Sequence, residues 1–303
     1  MSHDVIIIGA SIIDIPVGPV DASVFQSGSH PVERLTFHTG GDAINEAIVL
    51  SHLGADVKLI SKIGDDLGGR YILEQCHRHH INTDSFIIDP TIDTGVNVVL
   101  VEPDGERSFI TSSRGSLRQL KPDDIHFDDF SQASVLCFAS IFVFPFFTPA
   151  DYARVFAAAK ERGVTLCADM KKCKHMETVD DLREALPYLD FIFPNLEEAQ
   201  MVTGKDDPDD MADVFLDYGV KHAVIKLGKR GCLIKSATER MIIPAVSGVN
   251  CIDTTGAGDN FAAGFISGLI KKQPLSECGR IANETAAKCI ARSGATAWVD
   301  HIQ

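Results

Sequence analysis

Toward the C-terminal end of the chain, DTTGAGDNFAAG (Asp253 to Gly264) places a carboxylate, Asp259, behind two glycines and ahead of an apolar run, FAAGFISGLI, that reads as a helix. A loop such as Thr255-Gly256-Ala257-Gly258, feeding a helix start, offers free N–H groups and the positive end of the helix dipole. It therefore attracts negative charge, phosphate oxygens included. It is not a Walker loop, since no Gly-Lys-Ser/Thr follows, nor a dinucleotide fingerprint, since the third glycine and the preceding strand are lacking. Two roles for Asp259 stay open at this level. It is either an ordinary acidic residue favoured in a first helical turn, or a proton acceptor that takes the hydrogen of a hydroxyl while the N–H groups hold a transferred phosphoryl group.

Such a loop needs a framework, and the rest of the chain supplies one. Short apolar runs rich in Val and Ile (DVIIIGA, VKLIS, VLCFAS, VTLCAD, DFIFPN, HAVIKLG) suit strands buried on both faces of a parallel sheet. Between them lie helix-like stretches, INEAIVLSHLG, DYARVFAAAKERG and DMADVFLDYG, each closing on a glycine suited to the left-handed position after a helix. The alternation predicts an α/β fold, doubly wound, with a mostly parallel sheet and helices on both faces. Two regions break the pattern: Ile12 to His38, and TGVNVVLVEPDGERSFIT from Thr94 to Thr111, which reads as a hairpin turning at Pro103-Asp104-Gly105. Neither buries much alone, so together they predict a small β-sheet lid over a cleft. The main domain is then 1–11, 39–93 and 112–303, and the lid 12–38 and 94–111.

Composition excludes several classes. A net charge of −14 over 303 residues argues against nucleic-acid binding, which needs a surplus of Lys and Arg. No apolar run approaches membrane-spanning length, and MSHDVIIIGAS meets Asp4 before a run of only strand length, so neither a membrane span nor a signal peptide is expected. The eight cysteines are scattered and read as reduced thiols of a cytoplasmic protein. Cys167, Cys173 and His175 fit no common zinc spacing, and CHRHH (Cys76 to His80) reads as the exposed end of an amphipathic helix.

A second motif decides the role of Asp259. GGDAINEAIVLSHLGADVKLISKIG, from Gly40 to Gly64, carries a double glycine, Asn45, Ala47, Gly54 and Gly64 in the spacing of the N-terminal signature of the ribokinase (PfkB) family of carbohydrate kinases. DTTGAGDNFAAG resembles that family's C-terminal signature through Asp253, Gly256, Gly258, Asp259 and Gly264. The resemblance covers essentially the whole chain, and the GGDAINEA wording is most similar to the YdjH-like group of bacterial sugar kinases. It implies a ribokinase-like core with a β lid, ATP as donor, Mg²⁺ as cofactor and a hydroxyl of a small sugar-like molecule as acceptor. It also implies Asp259 as the base and the backbone of Gly256, Ala257 and Gly258 as the anion hole.

Further positions follow from the resemblance. Asn195 and Glu198 of FPNLEEA match an element acting near the phosphates on Mg²⁺ and its waters, although Asn195 is equally a helix N-cap. Lys226, Gly228 and Gly231 of IKLGKRGCLI match the segment along the nucleotide, a role compatible with a hairpin turn. Asn283 falls where relatives line the adenine pocket, against a plain surface position. Asp253 and Thr255 match residues that hold a monovalent cation, K⁺, in many relatives. On the acceptor side, Asp14 would grip sugar hydroxyls with Gly41 and Asn45 beside it. Asn97 and Arg114 are either further contacts or solvent-facing.

One departure from the family pattern bears on substrate. Where ribokinases commonly carry lysine after the double glycine, this chain has Asp42. Two carboxylates in one small cleft favour hydroxyl donors and oppose an acidic acceptor, unless Arg114 turns in to neutralise one or Asp42 turns away to cap its helix. A neutral sugar or polyol is therefore expected as acceptor, with a nucleoside as the alternative. A silent binding or regulatory protein is disfavoured by the intact base and glycines. A homodimer formed through the lid is a further expectation.

Overall fold

In the computed structural model, residues 3–26, 28–103, 106–172 and 176–299 are described. The first half contains β1 (His3–Ile8), β2 (Ile12–Gly18), β3 (Arg34–Leu35), β4 (His38–Gly40), α1 (Asp42–His52), β5 (Val57–Ile60), β6 (Lys62–Gly64), α2 (Leu67–Arg78), β7 (Ile87–Asp89), β8 (Val96–Val101) and β9 (Arg107–Thr111). The second half contains β10 (Ala133–Ile141), α3 (Pro149–Glu161), β11 (Thr165–Met170), β12 (Phe191–Ile192), α4 (Leu196–Thr203), α5 (Pro208–Asp217), β13 (His222–Lys226), β14 (Cys232–Ser236), β15 (Arg240–Ile243), α6 (Ala257–Ile270) and α7 (Leu275–Ile290).

The apolar runs form one sheet of eight strands in the order β15-β14-β13-β12-β11-β10-β1-β5. It is parallel from β5 to β13, and β14 and β15 close the edge antiparallel. The strands read as continuous apolar runs because both faces are covered. Along β1, Val5 and Ile7 face one core with Ile44 and Ile48 of α1 and Phe265 of α6. Ile6 and Ile8 face the other, with Val155 and Phe156 of α3 and Phe215 of α5. The helices end where the glycines predict, with Gly54, Gly163 and Gly219 at φ of 90°, 75° and 93°.

The two irregular regions form a second sheet, β3-β2-β8-β9 with β4 paired to β2, in the place of the expected lid, and it takes that name here. The lid runs slightly beyond the expected boundary, because Thr39 and Gly40 of β4 pair with Ile13 and Ile12. Of the expected hairpin turn, Pro103 is described, while Asp104 and Gly105 lie outside the described residues, as do Cys173 and His175. A short parallel pair, β6 with β7, was not foreseen.

From β1 the chain passes to β5 on one side, while β10 lies on the other. This reversal opens a crevice at the carboxyl ends of the strands, where open α/β sheets bind ligands.

Candidate active site

Several of the sequence candidates converge on that crevice, because they follow a parallel strand or open a helix above it, and Asp14 reaches it from β2 of the second sheet. Asp259 lies in the first turn of α6 and is buried. Its Oδ2 accepts a hydrogen bond from Asn45 Nδ2 of α1 at 2.8 Å, and its Oδ1 stands 3.5 Å from Lys171 Nζ, just past β11. Lys171 also reaches Asp42 Oδ1 at 3.0 Å. Ser140, at the end of β10, donates to the other oxygen of Asp42. Asp42 therefore points into the crevice and does not cap α1, whose N-cap position is Gly41.

The glycines have separable tasks. Gly256 is the N-cap of α6 at φ 74°, and a Cβ there would stand 2.3 Å from Ala295 Cβ, so conformation and space both require glycine. It also brings no capping side chain, unlike Thr148 of α3 and Asn195 of α4. The N–H groups of Gly258 and Asp259 donate to none of the described residues and stay open to an anion. Gly40 serves the acceptor side: a Cβ there would fall 2.2 Å from Asp14 Oδ2, so the carboxylate of β2 lies against bare backbone.

Environment sets the protonation of these groups. Burial raises the Asp259 carboxyl to about 6, Asp42 and Asp169 push the same way, and Lys171 and Asn45 oppose them. Asp14 is also raised to about 6, first by burial and then by Asp42 and Asp259, while its hydrogen bond from Asn97 Nδ2 at 3.0 Å pulls it down. Burial works against the charge of Lys171, yet Asp42, Asp259 and Asp169 hold its pKa well above the ordinary lysine range. A carboxylate poised near neutrality and hydrogen-bonded into position suits a general base.

On the nucleotide side, Asn195 and Glu198 form a reciprocal capping box: Glu198 N–H donates to Asn195 Oδ1 at 2.8 Å and Asn195 N–H to Glu198 Oε2 at 2.7 Å. The local role is thus realised, and it fixes Glu198 at the end of β12. Lys226, at the end of β13, pairs with buried Asp169 at 2.8 Å, and Gly258 lies against its ammonium, with a built Cβ 3.2 Å away. Gly228 and Gly231 form the turn between β13 and β14, both at positive φ. Asn283 is not on the surface. It is buried in α7, and its amide donates to the carbonyls of Ile243 and Pro244 at 3.1 Å each. Arg114 is exposed on the loop after β9, and the charges acting on Asp14 do not include it.

For Mg²⁺, no group of three or more ligating side chains gathers among the described residues. That suits an ion held largely by phosphates and water with one or two carboxylates, and Glu198 and Asp169 are the acids near Lys226. At Asp253, both carboxylate oxygens already carry donors, Thr255 N–H and Arg107 on one and Gly294 N–H on the other. The histidines of CHRHH end α2, with His77 and His80 exposed. A separate cavity of about 350 Å³, lined by Phe142, Phe144, Phe147 and Tyr152, holds none of the candidate residues.

Sequence reasoning missed Lys171, Asp169, Arg107 and Glu46. Glu46 is fully buried beside Asn45, with its pKa raised well above the carboxylate range by burial and then by Asp169. Lys171, Asp169 and Arg107 stand in no local motif, whereas Glu46 lies within GGDAINEA, where Asn45 drew the reading instead.

The fold and this constellation define an α/β phosphotransferase whose open helix start meets a buried aspartate. The sequence profile of the pfkB family carbohydrate kinases matches residues 2–301, and the chain belongs to that family of ATP-dependent kinases. It is 28% identical to a ribokinase of Staphylococcus aureus over 310 aligned positions, 100% of this chain and 98% of that one. It is 27% identical to a cytidine kinase of Thermococcus kodakarensis, covering 91% and 94% of the two chains. Among solved structures, an Arabidopsis thaliana ribokinase complexed with ribose and ATP superposes with a TM-score of 0.82 at 21% identity, over 98% of this chain and 96% of that one, a likeness of fold. Among the described residues no helix is long and apolar enough to cross a membrane.

Proposed function

We propose that the protein transfers the γ-phosphoryl group of ATP to a hydroxyl of an uncharged sugar or related polyol, with Asp259 as the base. The observation that carries this reading is the first turn of α6, where a glycine N-cap leaves N–H groups open beside a buried aspartate poised near neutrality. In this reading Asp14 and Asn97 grip acceptor hydroxyls and Asn45 orients Asp259. The acceptor hydroxyl gives its proton to Asp259 as its oxygen attacks the γ-phosphorus, and ADP leaves. Around the Gly256-Ala257-Gly258 turn the phosphoryl oxygens meet the open N–H groups of Gly258 and Asp259, since the Ala257 N–H donates to the Thr254 carbonyl at 3.2 Å, and Lys226, Asn195 and Glu198 border the donor phosphates and their Mg²⁺. Gly228 and Gly231 shape the turn along the nucleotide. Asn45 Oδ1 and Asn97 Oδ1 are buried without a partner among the described residues, which leaves acceptors for a hydroxylated ligand.

Charge supports a neutral acceptor. Asp14, Asp42 and Asp259 meet one cation, Lys171, so the pocket stays negative even with Lys171 paired to Asp42 and Asp259. Lys171, and not Arg114, is the group that softens the repulsion. A nucleoside is a second reading, favoured by the relative named as a cytidine kinase, because a riboside presents the same hydroxyls without added charge.

ADP release should be compared across neutral sugars, polyols, nucleosides, sugar acids and sugar phosphates. The best acceptor should be neutral, and a tenfold or greater kcat/KM advantage for any acidic one would overturn the pocket described here.

We also infer a cytoplasmic homodimer. The seven described cysteines are free, as a reducing compartment keeps them, and the lid exposes Phe25, Leu35, Phe37, Phe109 and Ile110, apolar surface that a second copy would cover. Light scattering should give twice the chain mass for the native protein and the monomer mass for Phe109→Asp. A monomeric native protein at micromolar concentration refutes the dimer.

A further inference from the structure

The sequence motif suggests that Asp253 holds a monovalent cation, but the atoms around it are arranged otherwise. Asp253 is buried at the entry to the glycine loop. Its Oδ1 accepts the Thr255 N–H at 2.7 Å and lies 2.5 Å from Arg107 Nη2. Its Oδ2 accepts the Gly294 N–H at 2.9 Å and the Ser293 hydroxyl at 3.3 Å. A carboxylate has about four lone-pair positions, and four donors fill them here. The carbonyl of Thr255, a second ligand candidate, already receives Cys289 Sγ–H at 3.2 Å.

The cation in this arrangement comes from the lid. Arg107 opens β9, where it pairs with Val101 of β8, so its guanidinium is carried by a sheet rather than a free loop. A second lid residue, Arg34 of β3, reaches the same place and donates to Ser293 Oγ at 2.7 Å. Two strands of the lid thus end on the two residues, Asp253 and Ser293, that brace the loop leading to Gly256.

We propose that Arg107 is the built-in cation of the Asp253 site, so that closure of the lid, and not a bound K⁺, delivers the positive charge beside the anion hole. Arg107 acts here as a positioning residue: it neutralises Asp253 and fixes the loop whose N–H groups meet the transferred phosphoryl group. The charge is then carried by the sheet that also bears Asp14, which ties the anion hole to the position of that sheet. The activity arm of the test rests on the kinase reading, while the binding arm does not.

Wild-type protein and Arg107→Met are compared in KCl, NaCl and tetramethylammonium chloride at one ionic strength, reading thermal midpoint without substrates and kcat with the best acceptor. For the wild type, replacing tetramethylammonium by K⁺ should change kcat less than twofold and leave the midpoint unmoved. Arg107→Met should lose at least tenfold in kcat in tetramethylammonium and regain at least threefold in K⁺, with a midpoint rise specific to K⁺, because the vacated carboxylate positions admit the ion. Twofold or greater activation of the wild type by K⁺ overturns the proposal, as does an Arg107→Met enzyme that is unimpaired or equally impaired in all three salts. Arg107→Gln, which keeps donors and length but no charge, gives the same readings if the methionine variant does not fold. Should every form be inactive on every acceptor, the kinase reading falls, and the midpoint shifts still decide the cation site.

Discussion

Asp253 and Asp259 stand at opposite ends of one glycine loop, and their surroundings drive them apart. Burial pushes both carboxyls up. At Asp253 the N–H groups of Thr255 and Gly294, with Arg107 beyond them, overcome it and hold the pKa below the ordinary range. At Asp259 the one side-chain donor, Asn45, and the ammonium of Lys171 at 3.5 Å do not, and nearby Asp42 adds to the rise toward about 6. The same residue type is thereby held ionised at one end and poised near neutrality at the other, as the proposed base role of Asp259 requires. Donor count and neighbouring charge decide the role.

The sharpest break of this comparison is Asp259→Asn, which removes the proton acceptor and little volume. It should lower kcat by about 10²–10⁴-fold and leave ATP affinity within about twofold. Retention of more than about a tenth of native kcat would take the base role from Asp259.

Lys171→Met should come next. Lys171 favours the ionised form of Asp259, so its loss should move the acid limb of the kcat/KM profile from near 6 to higher pH, with kcat/KM at about pH 6 down roughly tenfold. An unmoved limb would mean that Lys171 only packs beside the base.

The smallest effect is on stability. Burial pushes the Asp14 carboxyl in the fold from its ordinary value of 3.8 up to about 6, so the folded chain holds this proton more tightly than the unfolded chain. Its contribution is fully present below the unfolded value and is lost as pH rises through about 6. Above that, the ionised Asp14 is a cost, which Asp14→Asn removes. At about pH 7.5 the variant should melt roughly 2–4 °C higher, about 1 kcal/mol, and the gain should vanish near pH 4. Acceptor KM should rise at the same time. A lower melting point at about pH 7.5 would show that Asn97 compensates the buried charge.

Much of this was legible in the chain. Continuous apolar strands, closing glycines and the two glycine motifs locate the sheet, the crevice and the buried aspartate at its helix start, because each is a local signal with a local physical cause. The unforeseen residues depend on distant pairing. Lys171 follows a strand in DMKKCKH with no motif around it, and only the β10–β11 neighbourhood brings it over Asp259. Arg107 looks like an ordinary hairpin charge until the lid folds across to Asp253. The burial of Asn283 was hidden for the converse reason: helix position alone does not reveal that its amide donates to the carbonyls at the end of β15.

The lid is hung directly on the core, since β2 begins at Ile12, soon after β1 ends at Ile8. Asp14 therefore stands on the second sheet while Asp259 stands on α6. In the reaction proposed above the acceptor bridges these two elements, and the cleft works as a gauge: a molecule too short reaches only one of the two carboxylates. Selection among acceptors then becomes a matter of span as much as of hydroxyl pattern.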